Sequence, residues 1–255
     1  MKRQPRKVIR FGARLIIDIP IPVSKNMSFK FDDDGVVKEF HGNTIICHIP
    51  QQTEFFNKLL DFYRFAKRLS FYDKITLLPP SSYHVTIMNC CHEHDRSEGH
   101  WPKGIDPDTS MLRCTSHLTN ILTSENAATA GSADSELELQ VYKPAMSMQM
   151  DKPRSINVVM EPSTDSQETR IKQFRDKVSS LTGLIDPSHD SIRFHITLAY
   201  INEELTIAET QELTKNINQL HKSLAEACPI IKLAAPEFVT FDDMFYFHTV
   251  ATLSM

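Results

Sequence analysis

The sequence predicts an α+β protein with two similar lobes and largely antiparallel sheets. The chain has 255 residues, enough for one large domain or two small lobes. Segment 83–87 reads Tyr-His-Val-Thr-Ile, and segment 194–198 repeats the pattern as Phe-His-Ile-Thr-Leu. A strand pattern and a helix pattern precede each copy, so the chain contains two copies of one strand–helix–strand unit.

The two units are related by an offset of 111 residues, the distance from His84 to His195. This offset pairs strand 43–49 with strand 154–160, and helix 53–70 with helix 164–181. Thr53 is the predicted N-cap of the first helix, and Gly183 is the predicted C-cap of the second. The duplicated units cover about residues 44–90 and 155–201.

The remaining patterns complete one predicted bilobal domain over residues 13–255. Apolar residues at helical spacing predict a third helix: Leu213, Ile217, Leu220 and Leu224. Further strands are predicted at 13–23, 27–40 (a hairpin turning at Asp34-Gly35), 137–141, 230–235 and 244–253. Residues 121–136 are predicted to be a polar excursion between the halves. Residues 1–12, with five basic residues and no acid, are predicted to be a disordered basic tail.

Composition excludes several classes of protein. A net charge of −4 argues against a protein that coats long nucleic acid, but it is compatible with a small positive pocket for a nucleotide or an oligonucleotide end. Five cysteines without a repeated spacing predict free thiols in a reducing compartment, hence a cytoplasmic location. No apolar run approaches the ~18 residues of a membrane span, so no membrane partner is expected.

The His-x-Thr pattern gains its meaning from its repetition. In a strand, residues i and i+2 share one face, so His84 lies beside Thr86 and His195 beside Thr197. One copy alone would be an ordinary pair of hydrogen-bonded side chains. The segment 117–119 is a third His-x-Thr without matching flanks, and we interpret it as chance. Two copies at equivalent places in a duplicated unit predict an active site.

These two motif strands resemble the 2H phosphoesterase superfamily, the LigT-like group with two histidine motifs. The resemblance covers about residues 13 to 250. Three segments, 42–49, 79–86 and 94–102, resemble a largely uncharacterised bacterial and fungal branch. The resemblance implies two lobes related by pseudo-twofold symmetry, helices on the outside, and an active-site cleft between the lobes that contains both motifs.

The resemblance also implies a chemistry. Histidine is suited to both general acid and general base catalysis near neutral pH, so His195 is predicted as the base and His84 as the acid. Thr86 and Thr197 would donate hydrogen bonds to the non-bridging oxygens of the phosphate. The implied reaction is opening of a 2′,3′-cyclic phosphate, or cleavage of a related phosphodiester in a nucleotide or short RNA. No metal, cofactor or obligate protein partner is implied.

Three further residues are predicted to bind substrate. Arg96 and Trp101 lie in the segment 92–104 after the first motif strand, where they would hold a phosphate and stack on a base. The alternative roles are a solvated charge and an aromatic that anchors the loop. Arg193 has the parity of His195 and is predicted to reach the cleft, although a cation at the strand edge fits equally well.

Other functions stay open at this point. The site would also suit a 2′–5′-linked or cyclic signalling oligonucleotide, or a nucleotide-binding module without turnover. A rival hypothesis is a zinc site, but its spacing matches no familiar module; its ligands would be Cys90, Cys91, His92, His94 and His100. The His-Asp pairs 94–95 and 189–190 lie in loop-like sequence, which disfavours a metal-dependent phosphohydrolase. No Walker A loop or Rossmann glycine fingerprint occurs.

Overall fold

A computed structural model of the chain describes residues 27–32, 34–127, 136–143, 153–191 and 193–255. The helices are α1 (Met27–Lys30), α2 (Glu54–Ala66), α3 (Met111–Ala127), α4 (Asp165–Thr182) and α5 (Ile207–Ala227). The strands are β1 (Gly42–His48), β2 (Ile75–Leu77), β3 (His84–His92), β4 (Leu137–Val141), β5 (Ser155–Pro162), β6 (Phe194–Ile201), β7 (Ile230–Leu233), β8 (Glu237–Phe241) and β9 (His248–Thr252). The predicted basic tail (1–12) and first strand (13–23) lie outside the described residues.

The strands form two sheets. The first has the order β3-β1-β8-β9 and the second the order β2-β6-β5-β4-β7. Every strand pair is antiparallel. In the second sheet α5 packs against β4 and β5, and α4 contacts β3 of the first sheet as well as β4 and β5. The predicted α+β class with antiparallel sheets is confirmed, and one motif strand belongs to each sheet.

The strand register repeats with the offset of 111 residues. On β3, the residues on either side of Ile87 pair with neighbouring positions of β1, so Ile87 is the extra residue of a β-bulge. On β6, Leu198 is the extra residue in the same way, opposite neighbouring positions of β5. Both bulges directly follow the threonine of a motif. The two halves therefore share backbone pairing down to one irregularity.

The helices of the two units begin at equivalent positions. The Thr53 side chain accepts a 3.1 Å hydrogen bond from the Phe56 amide, and the Thr164 side chain accepts one of 3.2 Å from the Gln167 amide. Both threonines satisfy an amide that the first helical turn leaves unpaired. The predicted cap at Gly183 is confirmed, with φ at 77°. The first helix ends at Ala66, four residues earlier than predicted.

The structure differs from the sequence-based elements in several places. Helix α3 was not predicted, and it extends to Ala127, within the predicted polar excursion; residues 128–135 lie outside the described part. The short strands β2 and β8 were missed. The predicted hairpin over 27–40 begins as the helical turn α1, followed by a single bridge between Phe31 and Val37. Its turn is correct, since Gly35 adopts a φ of 75°.

Within the described ranges, none of the helices combines the length and the apolar character that a membrane span requires.

Candidate active site between the two motif strands

The two motif strands approach each other although they belong to different sheets. Cα atoms of β3 and β6 come within 8 Å. Strand β2 pairs with β6 and leads through the turn Pro80–Ser82 directly into β3. The Leu78 amide donates a 2.9 Å hydrogen bond to the carbonyl of the bulge residue Leu198. The chain that enters the first motif is thus fixed on the second motif strand.

His84 has a defined ring orientation. Its Nδ1 lies 2.7 Å from the Ser82 carbonyl oxygen, which can only accept, so Nδ1 carries the proton and Nε2 keeps the lone pair when the ring is neutral. The Phe247 ring contacts it at 4.3 Å between centroids. Burial lowers the pKa of His84 to about 4, and the bond to Ser82 opposes this shift. The free protein therefore holds His84 neutral at pH 7.

His195 faces the same region. Its charge is among the causes that lower the pKa of His84, and β3 and β6 are close in space. Burial is also the main cause that lowers the pKa of His195, and the charge of Lys30 adds to it. Within the described residues no hydrogen bond holds the His195 ring. Both imidazoles are half-buried and neutral at pH 7, as required of a general base before the reaction.

The motif threonines are half-buried and carry free hydroxyls. Neither Thr86 nor Thr197 has a side-chain hydrogen bond to another residue of the described chain. Strand parity directs each hydroxyl to the face of its motif histidine. Thr86 lies opposite Ile46, whereas Thr197 lies opposite Asn157. Two hydroxyl donors are thus available to a bound anion.

The structure adds three residues that the sequence did not reveal. His48 pairs directly with His84 across β1 and β3, and its Nδ1 lies 3.1 Å from Glu237 Oε2. Tyr200 was predicted to face the core. Its strand partner Ser155 has the parity of Asn157, so the bulge turns Tyr200 to the face of Thr197. A bulge is not visible in an alternating pattern, which explains the error.

Lys30 is the third addition, and it comes from outside the duplicated units. Its Nζ lies 3.5 Å from the Tyr200 hydroxyl and 5.4 Å from the centroid of the Phe40 ring. Its charge helps lower the pKa of both motif histidines. A lysine ten or more residues before the first strand carries no sequence signal of this kind, because only the tertiary fold brings it to the cleft.

Arg96 and Trp101 are engaged within their own loop. Trp101 is 5% exposed, and its indole N–H donates a 3.2 Å bond to the Asp106 carbonyl. The Arg96 guanidinium lies 4.6 Å from the Trp101 ring, and its Nη1 donates to the carbonyls of Pro107 and Thr109 at 2.6 and 2.7 Å. These contacts favour the loop-anchoring alternative over substrate binding.

Arg193 pairs with side chains of its own sheet. Its Nη1 lies 3.1 Å from Glu161 Oε2, and its guanidinium lies 3.5 Å from the centroid of the Tyr142 ring. The pair with Glu161 joins β6 to β5 at the first residues of the motif strand. Its predicted reach into the cleft stays a prediction, alongside the role of an edge cation.

The histidine-rich segment after β3 forms aromatic contacts. The His94 ring stacks on Phe29 at 4.4 Å, and Phe40 contacts His92 at 5.1 Å. Over the ranges that the structure describes, no group of three or more His, Cys, Asp and Glu residues is placed to hold a metal ion. The third His-x-Thr lies inside α3, where residues i and i+2 do not share a face. The interpretation of that copy as chance is confirmed.

Comparison with known proteins agrees with the geometry. Residues 30–148 match the family model named 2H-phosphodiest, described as a domain of unknown function (DUF1868). The predicted resemblance to 2H phosphoesterases is confirmed. Nearly half of the chain, including the first motif and Lys30, lies within this match. The family indicates a phosphodiesterase-type fold, and its description assigns neither a substrate nor a mechanism.

Solved structures share the fold. A conserved protein of unknown function, ATU0111 from Agrobacterium tumefaciens str. C58, aligns with a TM-score of 0.75 and 21% identity, covering 89% of this chain and 91% of that one. The protein TT0787 from Thermus thermophilus aligns at 11% identity over 83% of this chain and 96% of that chain, but a TM-score of 0.42 is too low to support an argument. Among curated proteins nothing matches the sequence.

Proposed function

We propose that this 2H-type protein is a phosphodiesterase that opens 2′,3′-cyclic phosphates, or cleaves a related phosphodiester of a nucleotide or short RNA. The observation that carries the proposal is the approach of β3 and β6, which gives two half-buried neutral histidines a common site. Two imidazoles on opposite sides of a phosphorus atom suit in-line displacement by general acid–base catalysis.

The proposed reaction assigns one role to each motif side chain. His195 removes a proton from water, whose oxygen forms a bond to phosphorus. His84 protonates the departing ribose oxygen as its bond to phosphorus breaks. Thr86 and Thr197 donate hydrogen bonds to the non-bridging oxygens, where negative charge increases in the transition state. Since symmetry-related histidines can exchange roles, the order of base and acid belongs to the proposal.

Proton supply follows from the His84 environment. With a pKa of about 4, the free ring is neutral at pH 7 and has no proton on Nε2. A bound phosphate anion beside the ring favours the charged form and raises that pKa. His84 therefore gains its catalytic proton together with the substrate, while Ser82 holds the ring in place. The roles of Arg96, Trp101 and Arg193 in substrate binding are retained as weaker parts of the proposal.

Turnover of a substrate panel tests the proposal directly. The panel contains 2′,3′-cyclic mononucleotides, 2′–5′ and 3′–5′ dinucleotides, and cyclic dinucleotides, each assayed with a chelator present. We expect 2′,3′-cyclic phosphate opening that survives chelation, and a loss of at least about 100-fold in His84→Ala and in His195→Ala. His117→Ala is the matched control, because it removes the histidine of the chance motif in α3.

The outcomes separate the candidate functions. Full turnover by His84→Ala would contradict the mechanism. Cleavage of 2′–5′ or cyclic dinucleotides in preference to cyclic mononucleotides would favour hydrolysis of a signalling oligonucleotide. Nucleotide binding without turnover on any member of the panel would favour a binding module. The proposed partner in each case is a nucleotide or short oligonucleotide, and the proposed compartment is the cytoplasm.

A further inference from the structure

Lys30 is held at the cleft by two aromatic rings. Its Nζ lies 5.4 Å from the centroid of Phe40 and 5.3 Å from that of Tyr200. The Tyr200 hydroxyl is 3.5 Å away, on the strand face that Thr197 shares. The ammonium group is therefore placed over the surface that the second motif presents.

The backbone around Lys30 is fixed to the second sheet. The Lys38 amide donates a 2.9 Å hydrogen bond to the Lys30 carbonyl, which closes the turn that contains Gly35. The Thr76 hydroxyl on β2 donates a 2.8 Å bond to the Gly35 carbonyl. Because β2 pairs with β6, the turn and the second motif strand form one connected unit. The position of Lys30 is set by this framework.

The charge of Lys30 is not neutralised by a neighbouring acid. Among the residues that the structure describes, no carboxylate lies within 4.0 Å of its Nζ. The nearest site carboxylate that the strand pairing identifies, Glu237, bonds to His48 on β1. With both motif histidines neutral at pH 7, Lys30 gives the cleft one positive charge. Exposure of the group is partial, so a ligand can reach it.

We propose that Lys30 binds a non-bridging oxygen of the substrate phosphate and makes the site selective for singly charged phosphodiesters over doubly charged phosphomonoesters. This inference rests on the proposed function and names the charge state of its substrate. One ammonium group and neutral imidazoles balance a diester monoanion. A monoester dianion, which is the product of ring opening, leaves one charge uncompensated and is released more readily.

Binding measurements on the full chain test Lys30 without requiring turnover. Lys30→Met keeps the aliphatic stem between Phe40 and Tyr200 but removes the charge, whereas Lys30→Arg retains the charge. Lys38→Met is the matched control on the same turn, with an exposed side chain. The probes are adenosine 3′,5′-cyclic phosphate, a singly charged diester, and adenosine 2′-phosphate, a monoester dianion; calorimetric titration gives both affinities.

We expect Lys30→Met to weaken binding of the cyclic diester about 10- to 100-fold, while Lys30→Arg stays within about 3-fold of the unmodified protein. Histidine titration by ¹⁵N NMR is the second readout. Removal of the Lys30 charge should raise the pKa of His84 and His195, and Lys30→Arg should not. A purely structural role would not produce this dependence on charge.

Three results would overturn the inference: diester binding by Lys30→Met equal to that of Lys38→Met, unchanged histidine titrations, or no binding of either probe to the unmodified protein. Tighter binding of the dianion than of the diester would overturn the selectivity. If binding depends on Lys30 but no panel substrate is turned over, the proposed hydrolysis fails while the anion site stands.

Discussion

The Nε of Arg175 on α4 donates a 2.7 Å hydrogen bond to the carbonyl oxygen of Ile87, the bulge residue of the first motif strand. The Nη1 of the same side chain donates to the carbonyls of Ser188, His189 and Ser191, in the segment before the second motif strand. Arg175 is 3% exposed, so these bonds form away from water. One guanidinium from the second half thus joins the surroundings of both motifs.

Replacing Arg175 with methionine should destabilise the fold and impair the site. The change leaves several buried carbonyl oxygens without donors, and we expect the free energy of unfolding to fall by about 3 kcal/mol. Urea titration measures this loss. The matched control is Arg64→Met at the equivalent position of the first unit, because Arg64 is exposed and pairs only with Asp61 across one helical turn. Its expected effect is below about 0.5 kcal/mol.

The stability of the protein should decrease as pH falls from about 6.5 towards 4, in part because of His84. Its pKa is about 4 in the folded protein and 6.5 when unperturbed. Between these values the unfolded chain binds more protons than the folded one, so unfolding becomes more favourable at lower pH. The contribution is fully present above pH 6.5. The charges of His48, His195 and Lys30 act in the same direction at this ring.

Comparison of denaturation midpoints at about pH 7.5 and pH 5 checks this linkage. His84→Gln should show a smaller decrease than the unmodified protein, since the variant has no ring to protonate on unfolding. The exposed His248 provides the control, and His248→Gln should retain the full decrease. Equal decreases in all three proteins would contradict the assigned burial of His84.

Reaction with a thiol reagent should distinguish Cys228 from the other cysteines. All five thiols are free, and Cys228 is the partly exposed one, whereas the remaining four are buried: Cys47, Cys90, Cys91 and Cys114. We expect one fast thiol per chain with Ellman's reagent and the other four only on unfolding. Cys228→Ser should remove the fast phase. Burial raises the pKa of Cys228, so its rate should be lower than that of free cysteine at pH 7.

Arg96→Met distinguishes the two roles considered for the loop after β3. The guanidinium donates to Pro107 and Thr109 and contacts Trp101, so its loss should lower the melting temperature and leave the KM for a cyclic phosphate unchanged. An increased KM at an unchanged melting temperature would support the substrate-binding role predicted from sequence. Arg113→Met, an exposed change on α3, is the control for melting.

The sequence predicted those features that depend on local pattern. Thr53 and Gly183 are recognisable caps because capping requires particular residue types. The alternation in 137–141 and the spacing of Leu213, Ile217, Leu220 and Leu224 identified β4 and α5, since one face of each is buried. His84 and His195 were found through their repetition.

Features that depend on tertiary contacts were missed. The buried side of α3 consists of Cys114, Leu118 and Leu122 among polar residues, and its apolar spacing is too sparse to predict a helix. Tyr200 was assigned to the core because a bulge alters strand parity without altering residue type. Lys30 and His48 reach the site through chain folding alone, so no local pattern indicates them.

The two bulges constrain how this chain can change in length. The carbonyl of Ile87 serves a residue of the second half, and the carbonyl of Leu198 serves the segment that enters the first motif. A deletion in one motif strand would therefore disturb both halves at once, by shifting its register and withdrawing an acceptor from the other copy. Insertions and deletions should be excluded from both motif strands, while substitutions that distinguish the copies, such as His48 in one and Val159 in the other, remain free to accumulate.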